Sequence, residues 1–207
     1  MIVSLGMLAW GAWPLASETR QLSLDPAALM LEDETAAAAG RRLGAQELRL
    51  VWPAEVRVGD VAEIRLTIDP VQLGALTEPG DGQAVLVAEA RLEMAGVEYQ
   101  PEGKMSEAWL PGQAVRFVWR LRADAVGKYP GTVWLHVQPV TPNGTLLERK
   151  VVTAQRIAVE ARALLGLNAS SARLLGIVLG LTGAVLALDG LAVRIFRRLA
   201  GNDAGET

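Results

Sequence analysis

From residue 47 onward, apolar and polar side chains alternate with a period of two. In Val61 to Asp69, Ile64, Leu66 and Ile68 alternate with Glu63, Arg65 and Thr67. In Ala84 to Met94, Leu86, Ala88, Ala90, Leu92 and Met94 share one face, and Glu89, Arg91 and Glu93 share the other. In Gln113 to Arg122, Val115, Phe117, Trp119 and Leu121 alternate with Arg116, Val118, Arg120 and Arg122. Val133, Leu135 and Val137 form a further apolar file, and Ile157 and Val159 continue the pattern. Such alternation marks half-buried antiparallel strands, with one face on a core and one toward water. Turn formers separate the runs at Val58-Gly59-Asp60, 78–82, Pro111-Gly112 and Pro142-Asn143-Gly144, the last a hairpin signal. The pattern predicts an all-β domain over 47–162, an antiparallel β-sandwich of roughly seven short strands. It also sets a register, with Phe117 and Trp119 inside and Arg116 and Arg120 outside.

Residues 18–46 lack that period and read as a linker. A short helix could open at Asp25-Pro26, where Asp can cap and Pro suits the first turn. Gln21 to Leu24 could instead be an edge strand.

Two segments are almost wholly apolar. Residues 2–15, IVSLGMLAWGAWPL, are too short for a membrane span, which needs roughly 20 residues, and have the length of a signal-peptide core. Ala16-Ser17 offers small residues at a cut, so residues 1–17 are expected to be a signal peptide, with an uncleaved anchor, or a buried strand or helix, as the alternatives. No Lys or Arg precedes the run. Residues 174–193, LLGIVLGLTGAVLALDGLAV, contain one charge in 20 positions and are expected to cross a bilayer as one helix. Residues 163–173 would then be juxtamembrane. Arg194, Arg197 and Arg198 follow closely, which places the tail 194–207 in the cytoplasm and the β-domain outside it. The expected location is therefore the cell membrane, single-pass.

Composition narrows the chemistry. Hydrophobic residues make up 51% of the 207 positions and charged ones 21%, so the chain is not a disordered one. Twenty Lys+Arg against 23 Asp+Glu give a net charge of −3, which argues against nucleic acid as a partner. The absence of cysteine excludes disulfides, thiolate nucleophiles and zinc-thiolate sites.

The stretch WPAEVRVGDVAEIRLTI, Trp52 to Ile68, resembles the opening of many bacterial immunoglobulin-like domains, with a Pro-containing edge strand, a Gly-Asp turn and a core strand. The stretch DAVGKYPGTVWLHV, Asp124 to Val137, is similar to their penultimate strand. The resemblance covers 47–162 and implies an immunoglobulin-like sandwich. It places Tyr129 as a corner tyrosine whose hydroxyl bonds back to the backbone. It implies no active site, and there is no cysteine pair. The whole plan resembles bacterial proteins with a signal, an immunoglobulin-like ectodomain and a C-terminal anchor.

No constellation points to catalysis. The one histidine, His136, falls on the file Thr132, Trp134, His136, Gln138, opposite the apolar file, so it is expected on the surface. A catalytic histidine needs an acid and a nucleophile beside it, and no G-x-S-x-G turn exists. The carboxylates Glu93, Glu98, Glu102, Glu107 and Asp124 are scattered, with no regular calcium-loop spacing. No metal or cofactor is expected. Trp134, a large aromatic on a polar file, is a candidate interface anchor. Trp52 and Trp109 are expected to cap the core. In the apolar helix, Gly176, Gly180 and Ala184 lie four apart, a spacing that lets a second helix approach closely. Asp189 is a charge within the span and a candidate polar contact.

These features predict a non-catalytic, membrane-anchored interaction or accessory subunit of an envelope complex. Its expected partners are the lipid bilayer and a membrane or envelope protein, or a second copy through the helix. The alternative is an anchored module that binds carbohydrate or peptide through aromatic side chains.

Overall fold

The computed structural model describes residues 16–29, 31–43, 45–70 and 84–163, together with 171, 174, 175, 177, 178, 181 and 182. The chain divides into two compact units, residues 15–162 and residues 1–14 with 163–207.

In the first unit, the described residues form ten strands and one α-helix in the order β1 (Ser17–Leu24), α1 (Glu34–Leu43), β2 (Gln46–Pro53), β3 (Glu55–Arg57), β4 (Val61–Pro70), β5 (Val85–Met94), β6 (Glu98–Gln100), β7 (Lys104–Trp109), β8 (Val115–Arg122), β9 (Gly127–Val140) and β10 (Lys150–Arg162). They build two five-stranded sheets, with orders β1-β2-β4-β8-β6 and β3-β10-β9-β5-β7. The sandwich expected from the alternation is present, and each apolar file lies where the period places it. Leu48 and Leu50, Ile64 to Ile68, Phe117 to Leu121, Leu86 to Leu92, Val133 to Val137 and Ile157 to Ala161 supply the buried side chains between the sheets. Trp52 and Trp109 are buried in the same core.

Three expectations change. First, the segment 18–46 is part of the sandwich. Gln21 to Leu24 lie in a strand, and that strand starts earlier, at Ser17, and pairs with β2 along its whole length. Only Leu22 and Leu24 turn inward from it, too few to show a period in sequence. A 3₁₀ turn, Pro26–Leu29, stands at the expected helix start. The α-helix opens later because Asp33, not Asp25, caps it. The Asp33 carboxylate accepts from the backbone N–H of Thr35 at 2.9 Å and of Ala36 at 3.0 Å. Its hydrogen bonds, first with the Thr35 hydroxyl and then with these amides, hold the Asp33 carboxyl below its ordinary pKa. Ala36, Ala39, Gly40 and Leu43 are the buried residues of α1, at the i, i+3, i+4, i+7 spacing of one helical face.

Second, one strand pair is parallel. The chain leaves the first sheet at Pro53, which has no N–H to donate, and β3 joins the second sheet parallel to β10. Ala54 bridges the two sheets at this crossing. Its N–H donates to Ala16 O at 3.0 Å, and its carbonyl accepts from Glu160 N–H at 3.0 Å. Third, the strand count rises from roughly seven to ten, because β1, β3 and β6 are too short or too polar to be read by alternation.

Gly131 lies where β9 runs against β5. A side chain there would collide with the Met94 side chain and the Glu93 carbonyl, so only glycine allows this approach. Gly59, at φ 84°, makes the turn into β4, and its N–H donates to Ala123 O at 2.9 Å.

Among the described residues, no helix is long and apolar enough to cross a membrane. Of the expected span 174–193, the six described residues are helical, and the Thr182 hydroxyl donates to Val178 O at 2.9 Å.

Candidate functional site

The second sheet turns its core face inward, so its other face carries the polar file of each strand. On that face the register brings His136 of β9 opposite Glu89 of β5, and Trp134 opposite Arg91. Arg91 in turn lies opposite Lys104 of β7. On the other side of β9, Val151 and Ala154 of β10 stand beside His136 and Trp134. Trp134 and His136, both named from sequence, thus share one face and touch. Their rings stack with centroids 6.2 Å apart and planes 22° from parallel. The Trp134 indole N–H donates to Glu93 Oε2 at 3.0 Å, and Glu93 also pairs with Arg91 at 3.2 Å. The indole is therefore held half-buried in one orientation rather than free on the surface.

Glu89 departs from its expected place on a solvated face. Its side chain is only 4% exposed. Lys104 Nζ lies 3.0 Å from one carboxylate oxygen, and Arg149, from the segment that joins β9 to β10, binds the other. That segment folds back along β9. The Leu147 N–H donates to Pro139 O at 2.9 Å, and Leu147 O accepts from Gln138 Nε2 at 3.2 Å, which brings Arg149 within reach of Glu89. Burial alone would raise the Glu89 carboxyl. The hydrogen bonds from Lys104 and Arg149, with their charges, outweigh it and hold the carboxyl below its ordinary value of 4.5. Alternation could assign Glu89 to a face, but nothing in the sequence signalled partners 15 and 60 residues away.

His136 is depressed below 6.5, first by burial and then by the positive charge of Arg149. Arg91 adds to this and Glu89 opposes it. Its Nδ1 is buried without a hydrogen-bond partner among the described residues. A base that is harder to protonate in the folded state than in the unfolded one makes stability fall on acidification. The loss begins as pH drops below about 6.5 and is followed, below about 4.5, by that of Glu89. His136→Phe keeps a flat ring and cannot titrate, so it should flatten the limb just below pH 6.5 in a pH series of urea unfolding. An unaltered limb would assign that titration to another group.

This face can do recognition chemistry: an aromatic pair, an exposed guanidinium at Arg91, and apolar Val151 and Ala154 next to them. Among the described residues, no three His, Asp or Glu side chains gather as metal ligands would. The remaining candidates, Gly176, Gly180, Ala184 and Asp189, lie outside the described residues. Compared with known proteins, the sequence matches no family model and no curated protein.

Proposed function

We propose that the chain is a membrane-anchored, non-catalytic interaction subunit whose sandwich is immunoglobulin-like. In this reading it uses the Trp134 face to hold an envelope or membrane protein partner. The observation that carries the reading is the Trp134–His136 pair, fixed by Glu93 on a sheet face with exposed apolar neighbours. Large aromatics held in place lose little freedom on binding and are the usual anchors of protein interfaces. The immunoglobulin-like assignment is supported by two features. The Tyr129 hydroxyl donates to Ala125 O at 2.7 Å, as a corner tyrosine does, and the short β3 runs parallel to the last strand after crossing from the first sheet. Membrane anchoring rests on the apolar run 174–193 and the arginines after it.

Co-purification in mild detergent tests this reading. Trp134→Ala should remove a partner that the unaltered chain retains. Arg49→Ala with Arg65→Ala, on the outer face of the first sheet, should not. Equal retention by both variants would sink the assignment of the face. The near-parallel Trp134 and His136 rings also favour a second reading, a carbohydrate-binding module, since flat aromatic surfaces stack on sugar rings. Saturable binding of a soluble glycan that Trp134→Ala abolishes would select it.

A further inference from the structure

The two borders of the sandwich lie at the same end. At the start of β1, Ala16 O accepts from Ala54 N–H. Near the finish of β10, Glu160 N–H donates to the carbonyl of the same Ala54, each at 3.0 Å. The hydrogen bonds continue across that end. Arg162 O accepts from Val58 N–H at 3.0 Å, and the next residue, Gly59, donates to Ala123 O at 2.9 Å. So the chain before residue 16 and the chain after residue 162 leave from one rim. That rim is built from Ala16, Ala54, the turn 58–61 and the loop 123–126. In sequence, the apolar run 2–15 precedes that rim directly and the run 174–193 follows it after eleven residues.

We infer that this rim faces the lipid bilayer, with Val61 and Val126 seated in the headgroup layer. The inference rests on the reading that the chain is membrane-anchored. Val61 is 63% and Val126 is 66% exposed, both in the rim, where water is the alternative neighbour. Lys128 and Arg162 are exposed at the same end and suit anionic headgroups, although Arg162 already pairs with Glu55 and Glu160 at 2.9 Å, and the exposed Asp124 in the loop of Val126 pairs with Arg122 at 3.2 Å. Leu146 and Val151 are similarly exposed toward the opposite end, so exposure by itself does not choose between the ends. The path of the chain makes that choice. The other end carries the segment 141–149, and Pro139 and Leu147 there line a pocket together with Leu31, Asp33 and Ala36 of the α1 region. Spacing adds a constraint. Eleven residues, 163–173, separate the sandwich from the C-terminal run and could span about 36 Å when extended. Only Ala16 separates Leu15 from β1.

The chain contains no cysteine, so a single introduced cysteine can be labelled cleanly. Val61→Cys, Val126→Cys and, at the far end, Asn143→Cys can each carry a fluorophore in the full chain, reconstituted into phosphatidylcholine–phosphatidylglycerol vesicles. With a nitroxide on the lipid headgroups, the labels at 61 and 126 should be quenched several-fold more than the label at 143. Along β9 the two ends are about 40 Å apart, well beyond the reach of contact quenching. Equal quenching at all three positions, or stronger quenching at 143, overturns the inference while leaving anchoring intact. Release of the chain by an alkaline carbonate wash would overturn the anchoring reading and this inference with it.

Discussion

Trp119→Ala and Phe117→Ala are each expected to destabilise the sandwich by about 3–5 kcal/mol, the usual cost of emptying the site of a fully buried aromatic. The two rings are 0% and 1% exposed and pack on each other with centroids 6.4 Å apart. They lie in β8 opposite Leu66 and Ile64 of β4, which are themselves fully buried, so the core around them has little room to collapse into the space. Their flanking arginines, Arg116 and Arg120, point to water, and alanine there should change stability by less than about 0.5 kcal/mol. Among the described residues the Trp119 indole N–H has no hydrogen-bond partner, so Trp119→Phe forfeits no bond and should cost far less than Trp119→Ala. Urea unfolding followed by circular dichroism measures all of these. A larger loss for the arginine variants would mean that the register is wrong by one residue.

The second large effect should come from stranding a charge. Glu89 is buried, but its partners Lys104 and Arg149 are 62% and 48% exposed in their side chains. The two sides of the cluster are thus unequal. Removing Glu89 returns two cations to water, where they are well solvated. Removing the cations leaves a carboxylate with no partner in a dry place. Lys104→Met with Arg149→Met should cost about 3 kcal/mol at pH 7. Protonation limits the loss, because a carboxyl with an ordinary value of 4.5 takes up a proton at pH 7 for about 3.4 kcal/mol. The penalty should therefore shrink as pH falls toward 4.5 and the stranded group is neutralised. Adding Glu89→Gln to the double variant should restore most of the stability at pH 7. If Glu89→Gln alone proves as damaging as the double methionine change, the carboxylate's charge contributes more than its burial costs, and the two sides of the cluster are not unequal.

The sequence was most legible where burial is one-sided over many residues. β4, β5, β8 and the latter half of β9 alternate cleanly because each turns its apolar file onto the core, so period two reported both strand and register, although Thr67 and Glu89 of the polar files are buried as well. It was least legible at the margins. β1 has only Leu22 and Leu24 on the core, and β3 is three residues long, so neither has room to show a period. The helix α1 was hidden in an alanine-rich stretch that reads equally as linker, because its buried face consists of Ala36, Ala39, Gly40 and Leu43, which carry little hydrophobic signal. At the candidate site, alternation placed Trp134 and His136 on one file, and the structure stacks them. The Glu89 cluster was not legible. It depends on the chain after β9 folding back to deliver Arg149, an ion pair set by tertiary geometry alone.

The central claim is that the outer face of the second sheet, and not that of the first, carries the partner. Photo-crosslinking in intact cells tests it most directly. A benzophenone side chain can replace the exposed Val151 or Ala154, which flank His136 and Trp134, and the exposed Arg49 or Arg65 on the other sheet. A discrete heavier adduct is expected from positions 151 and 154, weakened by Trp134→Ala, and none from 49 and 65. Adducts from 49 and 65 with none from 151 and 154 would contradict it.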